Sequence, residues 1–281
     1  MSAHTTSMRD ALYEAPGPRT KRLTLIGTII SLVLLSIGLV LVVRQFYITG
    51  QLDAKYWEFF ASWSTWRYLF EGFLGTVKVA ITAAAISLVL CVVLMFGRIS
   101  GIRALELICR IVIDFFRGVP SLLLIYFFFL VVPQYGVRLP PFWMITIPVA
   151  LAASGVLAEV FRAGVNAVPK GQTEAALSIG LTPGKTMRKI ILPQALRIVV
   201  PSLISQLVVV VKDTTVAYVV SYPDLMQNGR VLITSHDAVV SVYLVAAVIY
   251  ILLNFAINQL SVYMARRSGN PIITRSSENP T

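Results

Sequence analysis

Charged residues are scarce in this chain of 281 residues: Asp, Glu, Lys and Arg together make up 13% of it, and 57% is hydrophobic. Soluble domains carry about 25% charged residues. The composition therefore argues against a soluble enzyme and against a nucleic-acid-binding protein. The two cysteines, Cys91 and Cys109, lie in or beside apolar runs. This placement predicts neither a disulfide-stapled secreted fold nor a cysteine zinc site.

Groups that commonly carry catalysis are equally scarce. The two histidines, His4 and His236, are far apart in sequence, and no nucleophile–base pair or Asp-rich run accompanies them. Nor is there a glycine-rich phosphate loop. We therefore expect no catalytic residue, no metal site and no cofactor held by this chain. The net charge of +11 on so apolar a sequence favours basic loops on one side of a membrane over a nucleic-acid surface.

Six apolar stretches reach or approach the roughly 20 residues that a helix needs to cross a bilayer. They are residues 23–43, 69–96, 105–132, 142–161, 198–220 and 238–264. The first is longer than a signal-peptide core and lacks a small-residue cleavage site, so we expect it to be retained. Irregular backbone cannot face lipid, and all six are therefore predicted to be helices.

The distribution of lysine and arginine predicts the orientation. If the N-terminus is cytoplasmic, the inside segments hold most of the basic residues, so both termini are expected in the cytoplasm. The aromatic segment 44–68 is then expected along the outer surface. The two tails, residues 1–22 and 266–281, have no apolar period and are predicted to be mobile.

The connection between the fourth and fifth spans, residues 162–197, is long enough to be functional. Thr173 is predicted to cap a short helix, which Gly180 can end. A second helix is predicted to open at Pro183 and to close at Pro193. Two short helices joined by a glycine turn would form a compact cytoplasmic knob.

This segment resembles the EAA loop of bacterial ABC-importer permeases. The matching elements are Glu174-Ala175-Ala176, then Gly180 after three residues, then Ile190-x-Leu192-Pro193 after nine more. Flanking segments resemble the polar-amino-acid permease subfamily: Arg117-Gly118-Val119-Pro120, Glu159 to Gly164, Pro169 to Gln172, Pro193 to Ala195, and Lys212 to Thr215. The resemblance covers roughly residues 69–265, the expected permease core.

The resemblance implies an all-α integral membrane protein of the type I importer class, multi-pass in the bacterial inner membrane. It implies four kinds of partner: a pair of ATPase subunits that bind and hydrolyse Mg-ATP, a second permease chain, an external amino-acid-binding protein and membrane lipid. It also implies that the loop helix docks on the ATPase. The coupling residues carried over are Glu174, Ala175, Ala176, Leu177 and Gly180, whereas Leu192 and Pro193 are expected to be structural.

Charges inside spans are costly and mark functional candidates. The third span carries Glu106, Arg110, Asp114 and Arg117 on one helical stripe of alternating sign, which cannot face lipid. The stripe is either an internal ladder of salt bridges or part of a polar path. A ladder is favoured for the first three, and for Arg117 both interpretations stay open. The adjoining segment Gly118 to Pro120 is expected to kink the helix.

Lys212, Asp213 and Thr214 interrupt the apolar fifth span and are the best candidates for lining a substrate path; the alternative is an interhelical clamp. Thr76 and Glu159 are further candidates, although Glu159 can also simply pair with the arginine three residues later. The basic groups near this path favour an acidic amino acid such as glutamate.

Two other classes of protein compete with this interpretation. In a secondary transporter driven by protons or sodium, buried acids such as Asp114, Glu159 and Asp213 would carry protons. The six spans do not show the paired broken helices of an inverted repeat, however. A membrane enzyme would need a catalytic cluster that the sequence lacks. Dependence on ATP separates the importer from the ion-coupled transporter.

Overall fold

The computed structural model describes residues 17–267, which are helical with connecting turns and contain no strand. The predicted mobile tails fall mostly outside this range. The part of the N-terminal tail that is described, from Pro18 onward, is already helical. The chain divides into two compact units, and the boundary in sequence falls between Tyr56 and Trp57.

The first unit contains one long helix, α1 (Pro18–Ile48), followed by a 3-10 turn at Ala54–Tyr56. Its 31 residues extend about 46 Å, more than the roughly 30 Å of a bilayer core. No residue of α1 is buried. Because its apolar side chains face outward all round, α1 is suited to a lipid environment.

The second unit holds the remaining helices: α2 (Trp63–Arg98), α3 (Arg103–Gly118), α4 (Ser121–Tyr126), α5 (Pro141–Ala167), α6 (Lys170–Ser178), α7 (Pro183–Thr186), α8 (Leu192–Thr214), α9 (Leu225–His236) and α10 (Val239–Arg267). Short 3-10 segments occupy Glu58–Ala61, Val132–Tyr135 and Thr215–Val220, and π turns occupy Phe127–Val131 and Met187–Ile191.

Five helical segments of the described residues are long and apolar enough to cross a membrane, and a bent pair brings the number to six. The bent pair corrects the prediction of one continuous helix over 105–132. Its two arms, Arg103–Gly118 and Ser121–Tyr135, are inclined at 98°. Pro120 lacks the amide hydrogen that an α-helix needs there, and Val119 before it is extended. The kink expected in this segment is therefore confirmed, and it is sharp.

Helix α5 is the centre of the second unit, because α2, α3, α4 and α8 all pack against it. Its fully buried Ile145 and Val149 share a core cluster with Val79 of α2. Glycines set the closest approaches. A Cβ on Gly164 would stand 2.1 Å from a methyl group of Val199 in α8.

Helix α6 begins at Lys170, directly after Pro169, and not after Thr173 as predicted. Its end is as predicted. Gly180 has φ +82°, its amide donates to the Leu177 carbonyl, and the next amide donates to the Ala176 carbonyl. These two bonds make a Schellman motif, which glycine favours because it adopts positive φ without strain.

The second helix of the loop does not close at Pro193. It continues from Pro183 through the π turn Met187–Ile191 into α8, so that one helical stretch runs to Val220. The proline is tolerated because it follows the π turn, where the regular hydrogen-bond ladder is already interrupted. The loop helix α6 is therefore attached directly to the long helix of the fifth span.

At the far end of the unit, α9 lies against the first half of α2. A Cβ on Gly75 would stand 2.3 Å from the carbonyl oxygen of Pro223. We expect Gly75→Ala to push α9 off α2 and to destabilise the protein by about 3 kcal/mol. The apparent melting temperature in detergent measures this. Gly38→Ala in α1, where nothing lies within 4 Å, is the matched control and should not lower it.

Asp224 precedes α9 and is fully buried. Its Oδ1 accepts the Gln227 amide at 2.7 Å and so caps the helix. Burial raises the pKa of Asp224 to about 7. The folded protein therefore holds a proton that the unfolded chain releases near its ordinary pKa of about 3.9. The stability contributed by this proton is complete below about pH 4 and falls as the pH rises to about 7.

We expect Asp224→Asn to flatten this pH dependence, because asparagine keeps the cap and removes the buried acid. The effect integrates to about 4 kcal/mol, so the variant should melt higher than wild type at pH 8 and similarly at pH 4. Melting curves at several pH values measure it. An unchanged pH slope would contradict the role assigned to Asp224.

Candidate functional site

Helix α6 is held against the second unit by one of its faces. Ala176 is buried, with 4% exposure, and Thr173 and Leu177 line a hollow together with Met187 and Ile191 of the following π turn. Only two residues, Val168 and Pro169, separate α6 from α5. Because both of its ends are tied to spans, a force on α6 must reach α5 and α8.

The opposite face of α6 is open. Glu174, Ala175 and Gly180 are exposed, and Ile179 at the tip is 78% exposed. Leu177 lies at the edge between the two faces, because it lines the hollow and is still 46% exposed. A short helix whose outer face carries small residues beside one carboxylate, and which ends in a tight glycine turn, allows close approach by another protein. Of the five residues predicted for coupling, Glu174, Ala175 and Gly180 lie on this accessible side and Leu177 lies at its edge, whereas Ala176 is buried.

Near the end of α5 that leads to α6, the carboxylate of Glu159 contacts three arginines. Glu159 accepts a hydrogen bond from Arg98 of α2 at 3.0 Å and another from Arg162 on its own helix. The guanidinium of Arg117 lies 4.0 Å from the same carboxylate. Two residues predicted for the substrate path, Arg117 and Glu159, are thus brought together from α3 and α5.

The charged stripe of α3 continues this group. Asp114 lies 3.8 Å from both Arg110 and Arg117. These two ion pairs form part of the predicted ladder, and their side chains are 43–67% exposed in the chain, so each contributes little to stability. The stripe therefore lines an accessible surface.

The second polar group lies in α8. Asp213 is half-buried and lies close to Ser121, the first helical residue after the sharp bend. Thr214 is buried and donates to the Val211 carbonyl at 2.8 Å. Lys212 is exposed. A lysine in an otherwise apolar span is costly toward lipid, so it must face water or another protein chain.

Thr76 lies apart from the other predicted path residues. It is fully buried in the first half of α2, where its hydroxyl accepts a hydrogen bond from the Leu225 amide and donates one to the Gly72 carbonyl. Arg98, at the other end of the same helix, is about 33 Å away along the axis. The structure thus gives Thr76 a place in the packing of α9 and does not join it to the polar groups near α6.

Two residues of the site, Arg98 and Ser121, were not singled out from the sequence. Arg98 closes α2 and resembles any basic residue at a membrane boundary. Its pairing with Glu159, 61 positions later, depends on how α2 packs on α5. One feature of the sequence could have indicated Ser121, namely its position directly after Pro120, which bends the span.

The chain is similar to a known protein family and to several known proteins. The family model described as "Binding-protein-dependent transport system inner membrane component" matches residues 93–270. The glutamate transport system permease protein GluD of Corynebacterium glutamicum is 33% identical over 241 residues, which cover 82% of this chain and 88% of GluD.

The glutamate/aspartate import permease protein GltK of Escherichia coli is 30% identical over 209 residues, 72% of this chain and 93% of GltK. Among solved structures, one described as an amino acid ABC transporter with histidines superposes with a TM-score of 0.71. It is 26% identical, and the match covers 74% of this chain and 98% of that one.

Proposed function

The chain belongs to the family of binding-protein-dependent transport system inner membrane components and is the multi-pass permease subunit of an ABC amino-acid importer. On this basis we propose that it imports an acidic amino acid such as glutamate or aspartate, and that α6 couples it to a separate ATPase. The resemblance identified from the EAA loop and its flanking segments is confirmed by the family match.

The proposed assembly has further members. Two ATPase subunits bind and hydrolyse Mg-ATP, a second permease chain completes the path, and an external binding protein delivers the substrate. Both termini of this chain lie in the cytoplasm, on the side of the ATPases. Within this assembly the coupling surface is the exposed face of α6 with Glu174, Ala175, Leu177 and Gly180, and the buried Ala176 fixes the helix to the permease.

The observation that supports the substrate proposal is the exposed Lys212 beside the half-buried Asp213, which lies close to the bend at Ser121. An amino acid needs hydrogen-bond donors for its carboxylates and an acceptor for its ammonium group. Lys212 and Arg117 supply the first, and Asp213 and Glu159 supply the second. An excess of basic groups favours a substrate with two carboxylates, in keeping with the glutamate permeases among the relatives.

Coupling follows from the helical connection. Lys212 lies 29 positions after Pro183 on one continuous helical stretch, about 44 Å along its axis. A displacement of α6 by the ATPases is therefore transmitted through α7 and the π turn to the level of Lys212. It also reaches Glu159 through α5, only eleven positions before Lys170. One displacement of α6 therefore moves both the Lys212 group and the Glu159 group.

Reconstitution tests the proposal. The chain is co-purified with its ATPase and binding protein and inserted into vesicles, and uptake of labelled glutamate is followed with ATP on the ATPase side. We expect at least about tenfold more uptake with ATP than with a non-hydrolysable analogue. Uptake driven by a proton or sodium gradient without ATP would overturn the proposal in favour of an ion-coupled transporter.

A further inference from the structure

A basic cleft opens beside the Glu159 cluster, between the end of α2, the start of α3 and the end of α5. It has a volume of about 530 Å³. Its polar lining is Arg98, Arg103, Glu106, Arg110, Arg162 and Asn166. Four arginines thus face a single carboxylate within the cleft. The polar path proposed above uses none of Arg103, Glu106 and Arg110.

The carboxylates around the cleft do not neutralise it. Glu159 is shared by Arg98, Arg162 and, at 4.0 Å, Arg117. Asp114 is divided between Arg110 and Arg117, each at 3.8 Å. With Arg103 and Glu106, this makes five arginines against three carboxylates. The cluster keeps a positive excess, and the guanidinium groups of Arg103 and Arg110 remain accessible.

The position of the cleft and its apolar lining indicate which kind of ligand it can bind. Arg162 lies eight residues before α6 begins, so the cleft opens at the end of the helices that carries α6. Its two apolar lining residues are Ile99 and Leu107. Leu107 belongs to an outward apolar strip of α3 with Ile108 and Ile111, each 57–59% exposed. A basic surface and an apolar surface therefore lie side by side at this edge. A phospholipid needs this combination, because its phosphate binds basic groups and its acyl chains pack against apolar ones.

We infer that this cleft binds the phosphodiester headgroup of an anionic phospholipid, such as phosphatidylglycerol, in the leaflet on the α6 side. Arginine forks suit phosphate oxygens because they bind them in pairs. Basic pockets between transmembrane helices on the cytoplasmic side bind anionic headgroups of this kind. The acyl chains would lie along Leu107, Ile108 and Ile111. The bound lipid would join α2, α3 and α5 at the base of the polar path.

Lipid retention tests the inference. The assembled transporter is purified in a mild detergent, exchanged into nanodiscs with equal parts phosphatidylglycerol and phosphatidylcholine, and examined for bound lipid by native mass spectrometry. Wild type should retain phosphatidylglycerol, and Arg103→Gln with Arg110→Gln should reduce that retention at least fivefold. Arg98 and Arg162 are left intact because they hold Glu159. The double lysine variant, which keeps the charge, should recover part of the binding.

Matched controls separate the sources of phosphate. Arg138→Gln removes an exposed arginine outside the cleft and should retain lipid like wild type. Inorganic phosphate is titrated onto the transporter in nanodiscs of phosphatidylcholine alone. Equal retention of phosphatidylglycerol by wild type and the glutamine variant would overturn the inference. So would saturable phosphate binding without phosphatidylglycerol retention, which would assign the cleft to a soluble anion.

Discussion

Arginine in place of Ala175 is expected to release the ATPase and to abolish ATP-driven uptake while leaving the permease folded. Ala175 lies on the outer face of α6, turned away from the buried Ala176, so the new side chain extends into solvent in the free chain. In the coupled state the same side chain would be buried at the interface as an unpaired charge. That burial costs about 3 kcal/mol, which corresponds to roughly a hundredfold loss of affinity.

A pull-down of the detergent-solubilised chain with its ATPase measures the effect, with uptake as the second readout. Ala61→Arg, an exposed alanine outside α6, is the matched control and should recover the ATPase fully. Gly180→Asp tests the turn separately, because a non-glycine residue at φ +82° costs about 1 kcal/mol locally. Equal recovery of the ATPase by Ala175→Arg and wild type would contradict the coupling role of α6.

Local chemistry made several of these features predictable. Gly180 ends a helix because few other residues accept positive φ, and Pro120 bends a span because it lacks an amide hydrogen. Both effects act within four residues, so they can be deduced from the sequence. Apolar length likewise predicts the spans, because the bilayer sets a fixed minimum for a helix.

Other features of the fold and the site could not be predicted from these local rules. Pro193 has the same chemistry as Pro120, yet the helix continues through it because a π turn precedes it. Thr76 looked like a polar group lining a path, but the seating of α9 on α2 turns its hydroxyl to the Leu225 amide. Arg98 joins the site only because α2 packs on α5. The positions of Thr76 and Arg98 depend on residues far away in sequence, so no local rule could give them.

Loss of the charge at Lys212 is expected to abolish uptake without releasing the ATPase. Lys212→Met keeps most of the side-chain length and its fit to an apolar span, but it removes the donor for a substrate carboxylate. An unpaired carboxylate in a site with little water costs about 3 kcal/mol, so uptake should fall roughly a hundredfold. Lys212→Arg should restore part of it, and Lys55→Met, an exposed lysine in the first unit, should have no effect.

The same variant separates the two interpretations of the Lys212 cluster. If Lys212 were an interhelical clamp, its loss would lower the melting temperature of the transporter and weaken the pairing of the two permease chains. If it lines the path, the melting temperature and ATPase recovery stay at wild-type values while uptake falls. Because Lys212 is exposed and forms no ion pair with another described residue, removal of the lysine leaves no buried partner unpaired within the described part of the chain. The second outcome is therefore the one that we expect.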